Sequence, residues 1–183
     1  MRFLLAAAGA LLLAACAGMS TGGSSATSTL KPTQGNKASG TVTFYPQGDK
    51  LRVVASVTGL TPGLHGFHVH EKGDCSAPDA MSAGGHFNPG GKPHGDAHSA
   101  ERHAGDLGNI TADQDGAAKL DIVVDGLSVS AGAPNSVVGR AVVVHANPDD
   151  LKSQPAGNSG PRVACGVVIQ AAAMPAPRGA YSY

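Results

Sequence analysis

Seven of the chain's eight histidines fall within residues 65–106, HGFHVHEKGDCSAPDAMSAGGHFNPGGKPHGDAHSAERHAGD, among glycines, prolines and acidic side chains. Imidazole nitrogens are the usual holders of transition metals, and carboxylates complete such sets. His68 and His70 stand two apart in GFHVH. On a strand, that spacing puts both rings on one face and Phe67 and Val69 on the other, so a core would lie behind and a polar site in front. His86, His94 and His103 follow in Gly/Pro-rich sequence with Asp106 close behind, and His145 ends the apolar run AVVVH. The inventory suffices for two metal ions. Two same-face histidines on a strand also occur as hydrogen-bonded surface groups, so the pair alone does not decide between a site and a surface.

The elements that would carry these residues read as strands. SGTVTFYPQ alternates around Val42 and Phe44, and KLRVVASVTG around Leu51, Val53, Ala55 and Val57, with Gly48-Asp49 as the turn of a hairpin. LTPGLHG leads into GFHVH. DLGNITAD and AAKLDIVVDG form the next expected pair, joined at Gln114-Asp115-Gly116, and SVVGRAVVVHA and RVACGVVIQ are the last strands. Seven to eight strands with no helical period point to an all-β Greek-key barrel or sandwich. Two segments exceed ordinary loop length or polarity, 71–106 and NPDDLKSQPAGNSG. A loop as long as the first needs fixing, which metals and a disulfide can supply.

Composition agrees and excludes. The 183 residues are 42% hydrophobic but only 4% aromatic, with 26 glycines and 12 prolines, as a single turn-rich β domain would be. Thirteen basic residues balance thirteen acidic ones, and no basic patch with aromatic platforms is present, so nucleic acid is not an expected partner. The beginning, MRFLLAAAGALLLAACAGMS, has one arginine and an apolar run from Phe3 to Ala15, too short to span a bilayer comfortably, and reads as an export signal. Leu13-Ala14-Ala15-Cys16 looks like a bacterial lipoprotein processing box that would make Cys16 the lipidated first mature residue; a plain secretory signal cut nearby is the alternative. Residues 1–15 are therefore expected as signal peptide, 16–37 as a flexible Gly/Ser/Thr tether, 38–170 as the domain, and 171–183 as a flexible tail.

GFHVHEKGDC, GGHFNP, KPHG, ERHAGDLGN, VVVHANPDD and GPRVACG resemble, in order, the signature segments of copper/zinc superoxide dismutase, from about residue 38 to 170. The resemblance implies an eight-stranded, immunoglobulin-like Greek-key barrel with long metal-binding and electrostatic loops. It implies one copper and one zinc per subunit: copper at His68, His70, His86 and His145, zinc at His86, His94, His103 and Asp106, with the His86 ring bridging both. Asp149 would accept hydrogen bonds from His70 and His94, Arg162 would draw superoxide to the copper, and His65 would brace a loop. His98 matches no ligand and reads as a solvated residue. Cys75 and Cys165, the remaining cysteines after Cys16 is acylated in an oxidising compartment, correspond to the family disulfide.

The activity implied is a two-step copper redox cycle that turns two superoxide ions and two protons into dioxygen and hydrogen peroxide. His86 would leave copper on reduction, take up a proton, and donate it in the second step. The loop holding Lys152 looks shorter than the animal and plant pattern and lacks its charged cluster, so steering by Lys152 has weak support and the bacterial branch is the nearer resemblance. An exported, periplasmic enzyme follows, touching a membrane only through its lipid anchor, with a homodimer possible. The rivals are a non-enzymatic copper/zinc-binding or storage module, a zinc hydrolase, and a purely structural domain. A hydrolase would need an open position on zinc, which the set His86, His94, His103 and Asp106 would fill.

Overall fold

Period-two alternation builds the wall of the molecule. The computed structural model describes residues 24–172 and contains eight strands: β1 (Ala26–Pro32), β2 (Ser39–Gln47), β3 (Lys50–Thr58), β4 (Gly63–His70), β5 (Asp106–Ala112), β6 (Ala118–Val124), β7 (Ala141–His145) and β8 (Arg162–Gln170). All pairings are antiparallel, and the strands close into a barrel in the order β1-β2-β3-β6-β5-β4-β7-β8. Closure leaves no free sheet edge. Val42, Phe44, Val53, Val57, Phe67, Val69, Ile110, Val142 and Val144 are buried in one continuous core. Fully burying side chains of this size contributes about 1.5–3 kcal/mol each.

The β2–β3 hairpin has the expected turn, with register from Ser39↔Thr58 to Gln47↔Lys50. Two other expectations change. Strands β5 and β6 are consecutive but share only the Ala112↔Ala118 pair, and β6 makes its ladder with β3, from Leu51↔Val124 to Val57↔Ala118. The stretch expected as a tether contains β1, where Ala26, Ser28 and Leu30 alternate inward and the backbone pairs with both β2 and β8. Small residues suffice there because the two neighbouring strands satisfy the backbone on either side. The expected signal segment and Cys16, and most of the expected tail, lie outside the described residues.

Two long loops stand on the barrel, residues 71–105 between β4 and β5 and residues 146–161 between β7 and β8. The first is fixed at its start by the Cys75–Cys165 disulfide, Cα–Cα 5.8 Å, and by a small apolar cluster of Ala80, Ala83, Ala141, Val143 and Cys165 on the outside of β7 and β8. In mid-loop, buried Phe87 enters the main core and its N–H donates to Val69 O at 2.8 Å. A Cβ at Gly105 would meet that same Val69 oxygen at 2.3 Å, so this close approach requires glycine.

Candidate metal centre

Strand β4 delivers His68 and His70 to one face while Phe67 and Val69 enter the core, and β7 ends at His145 alongside. The anchored Phe87 sets His86 next to them, through an isolated bridge His70↔His86. The ring centroids of His68 and His86 are 3.9 Å apart, those of His70 and His86 5.0 Å, and His70 Nε2 lies 3.3 Å from His145 Nε2. These four residues are buried and each brings one nitrogen to within 4.8 Å of the others. Of the two glycines before His86, Gly84, at φ +73°, lies against the Glu71 side chain, whereas a Cβ at Gly85 would meet nothing within 4 Å.

On the far side of His86, three Nδ1 atoms converge on Asp106 Oδ1, His86 at 2.8 Å, His94 at 3.1 Å and His103 at 3.3 Å. The other oxygen of Asp106 accepts the backbone N–H groups of His103, at 2.9 Å, and Gly95, at 3.1 Å. His94 Nδ1 and His103 Nδ1 are near enough to bond the carboxylate but not aimed at it, and neither has a hydrogen-bond partner. Rings aimed at a point beside the oxygen, rather than at the oxygen, are what a shared ion demands.

The donor chemistry passes a stricter test. Among the described residues, the buried side-chain nitrogens and oxygens without a partner are His68 Nδ1, His86 Nε2, His94 Nδ1, His103 Nδ1 and Ser28 Oγ. Leaving a buried polar group unpaired costs about 1–3 kcal/mol, and four of these five atoms belong to the two clusters. Four ring nitrogens that face away from the clusters are tied down. His70 Nδ1 donates to Gly84 O at 2.9 Å, His145 Nδ1 to Gly160 O at 3.1 Å, His68 Nε2 to Asp149 Oδ2 at 2.7 Å and His94 Nε2 to Asp149 Oδ1 at 2.9 Å. Such outer partners fix ring orientation and the free nitrogen. His86 is different, with Nδ1 in one cluster and Nε2 in the other.

Asp149 thus links the two sides, but through His68 and not through the expected His70. The two rings share a strand face, yet His70 turns its Nδ1 to the loop carbonyl of Gly84, and only His68 presents an Nε2 to Asp149. His65 joins Thr61 O and His145 O, at 2.8 Å each, as a brace, and His98 is exposed.

Burial decides the protonation of the first cluster. It lowers His68 to about 4 despite Asp149, and His145 to about 3 with help from neighbouring imidazoles; His70 is held well below its ordinary value for the same reasons. Burial also works against the charged form of His94, but the adjacent carboxylates of Asp106 and Asp149 prevail and raise it to about 9. Asp106 and Asp149, which burial alone would raise, are held far below the carboxylate range by their histidine partners.

A cleft of about 790 Å³ opens above, lined by His70, His86, His103, His145 and Arg162. Arg162 is half-buried as the first residue of β8, and its guanidinium donates to Ala80 O at 2.6 Å and Gly84 O at 2.5 Å. Both acceptors are neutral, so its charge is left for the cleft.

Closed antiparallel walls carrying two adjoining clusters, imidazole-rich and joined through one histidine, define a β-barrel protein with a paired candidate metal centre. Residues 38–168 match the profile of the copper/zinc superoxide dismutase (SODC) family, and the chain belongs to that family. A crystal structure of the clock protein EA4 is 42% identical with a TM-score of 0.73, over 82% of this chain and 97% of that one.

Proposed function

We propose that the chain is a superoxide dismutase with copper at His68, His70, His86 and His145 and zinc at His86, His94, His103 and Asp106. The observation that carries this reading is His86, buried with one ring nitrogen directed into each cluster. Four imidazoles without a carboxylate suit copper, and three imidazoles with one carboxylate suit a closed tetrahedral zinc. Bound copper would supply the electron chemistry, oxidising one superoxide ion to dioxygen and reducing another, with two protons, to hydrogen peroxide.

The chain's own groups do the rest. Arg162 attracts the anion into the cleft and offers its remaining N–H groups to it. His68 and His70 are held neutral by burial and His145 likewise, so all three offer lone pairs at neutral pH. His86 Nε2, which borders the cleft side, is the atom able to hold a proton when it is not a ligand, while Nδ1 stays with the Asp106 cluster. Asp149 keeps the two sides in register.

Export to a bacterial periplasm, with lipid on Cys16 as the only membrane attachment, is part of the same proposal, and the Cys75–Cys165 disulfide supports an oxidising compartment. Mass spectrometry of the native product should find lipid mass on Cys16, and an unmodified terminus elsewhere would remove the anchor. A second reading is a metal-binding protein without turnover, since the similar solved structure is described as a clock protein and not by an activity. Metal content and superoxide consumption measured on one purified preparation separate the two. Consumption that rises with copper at constant zinc supports the dismutase, and a fully loaded, inert chain supports the alternative.

A further inference from the structure

We propose that Gln154 is a positioning residue for His94, supplying from the β7–β8 loop the backbone partners that a neighbouring strand would otherwise provide. The inference rests on the reading of His94 as a zinc ligand and deepens it. His94 is buried, yet it lies in the loop 71–105, outside any strand or helix. Its N–H donates to Gln154 Oε1 at 2.8 Å, and its carbonyl accepts from Gln154 Nε2 at 3.0 Å. Neither backbone group has a backbone partner among the described residues. A buried N–H and C=O must be paired somewhere, and one side-chain amide, with an acceptor at one end and a donor at the other, meets both demands at once.

The same device recurs one step away. Asn109 of β5 accepts from Asp149 N–H at 2.7 Å and donates to Asp149 O at 2.9 Å. The His94 Nε2–Asp149 Oδ1 bond is therefore held at both ends by a two-point amide grip, one from the loop and one from the barrel. Gly157, at φ +62°, closes over this bond so tightly that a Cβ there would lie 1.8 Å from Asp149 Oδ1 and 2.7 Å from His94 Nε2. Gln154 and Asp149 belong to one loop, so the loop fixes His94 through its backbone and its ring together. Two points on the backbone and one on the ring leave Nδ1 no freedom of aim. By contrast, His68 and His70 obtain the same fixity from the ladders of β4 with β5 and β7.

The test compares wild type with Gln154→Ala and Gln154→Glu. In Gln154→Ala, Zn(II) affinity measured against a chelator should fall about tenfold, as for other groups that orient a ligand from outside the coordination sphere. The visible absorption of Co(II) placed in that cluster should shift, while copper loading stays at the wild-type value and the unfolding midpoint of the metal-free chain falls by no more than the loss of two hydrogen bonds implies. Exchange of the His94 amide in the metal-free chain should quicken about tenfold in Gln154→Ala. It should return towards wild type in Gln154→Glu, which keeps the acceptor and loses the donor. Unchanged Zn(II) affinity and an unchanged Co(II) spectrum in Gln154→Ala would overturn the proposal. So would loss of both metals in step with an unfolding midpoint lowered further than two hydrogen bonds account for, since that is the mark of general destabilisation. A wild-type chain that takes up no divalent ion would overturn the zinc reading itself, and the His94 amide would still report whether the grip exists.

Discussion

On one side of His86, the three companion histidines are mounted on strands, His68 and His70 on β4 and His145 at the end of β7; on the other, His94 and His103 sit on the loop 71–105 and only Asp106 belongs to a strand. The first set inherits its geometry from interstrand ladders and core burial. The second depends on polar contacts, from Asp149 to the His94 ring, from Gln154 to the His94 backbone, and from Asp106 to three rings. Protonation differs in the same way, with His68 and His145 lowered to about 4 and about 3 and His94 raised to about 9. The strand-mounted half is ready for a metal at neutral pH. The loop-mounted half must exchange a proton for one.

The largest effect should come from cutting the tie between the halves. Asp149→Ala removes the acceptor of both His68 Nε2 and His94 Nε2. We expect zinc affinity to fall about 10–100-fold and copper affinity by less, because β4 still holds His68. Equal losses at both metals, measured by chelator competition, would erase the distinction. A smaller change, about tenfold at low ionic strength, is expected in the superoxide rate of Arg162→Ala, with a flatter salt dependence and both metals retained. Copper lost in step with activity would instead give Arg162 a structural role through its bonds to Ala80 O and Gly84 O.

The pH dependence should be no steeper than about tenfold per pH unit, and of opposite sign in the two halves. The raised pKa of His94 contributes stability to the metal-free chain that is fully present below about 6.5 and is lost as the pH rises through about 9. The lowered values of His68 and His145 contribute stability present above about 6.5 and lost as the pH falls through about 4 and about 3. Zinc uptake by the metal-free chain should therefore strengthen between pH 6.5 and about 9, and copper uptake should stay level over that window. Titration at several pH values checks both, and parallel slopes would contradict the comparison.

The strand-mounted half was also the more legible in sequence. HVH encodes its geometry by period two, His145 closes a continuous apolar run, and the β2–β3 hairpin follows from alternation with its Gly48-Asp49 turn. Strand β1 escaped because ATSTLKP has few apolar residues and owes its extended form to β2 and β8. The partner of β6 was equally invisible, since adjacency in the chain suggests β5 whereas closure of the barrel assigns β3. At the site, the residue types and the shared His86 were readable, but which ring nitrogen faces which acceptor was not. Hence Asp149 was expected on His70 and is found on His68. Gln154, Asn109 and Gly105 act through backbone contacts between distant segments, and no local pattern announces them.

The central claim is that one ring serves both halves, and the most direct test is magnetic. Zinc is replaced by Co(II) in the wild-type chain, copper is kept as Cu(II), and electron paramagnetic resonance is recorded before and after reduction. If His86 joins the two ions, the Cu(II) signal should be altered by Co(II) through the ring, and the coupling should vanish on reduction to Cu(I). Two independent signals at full occupancy of both sites in the oxidised protein would contradict the account, and His86 would then belong to a single metal.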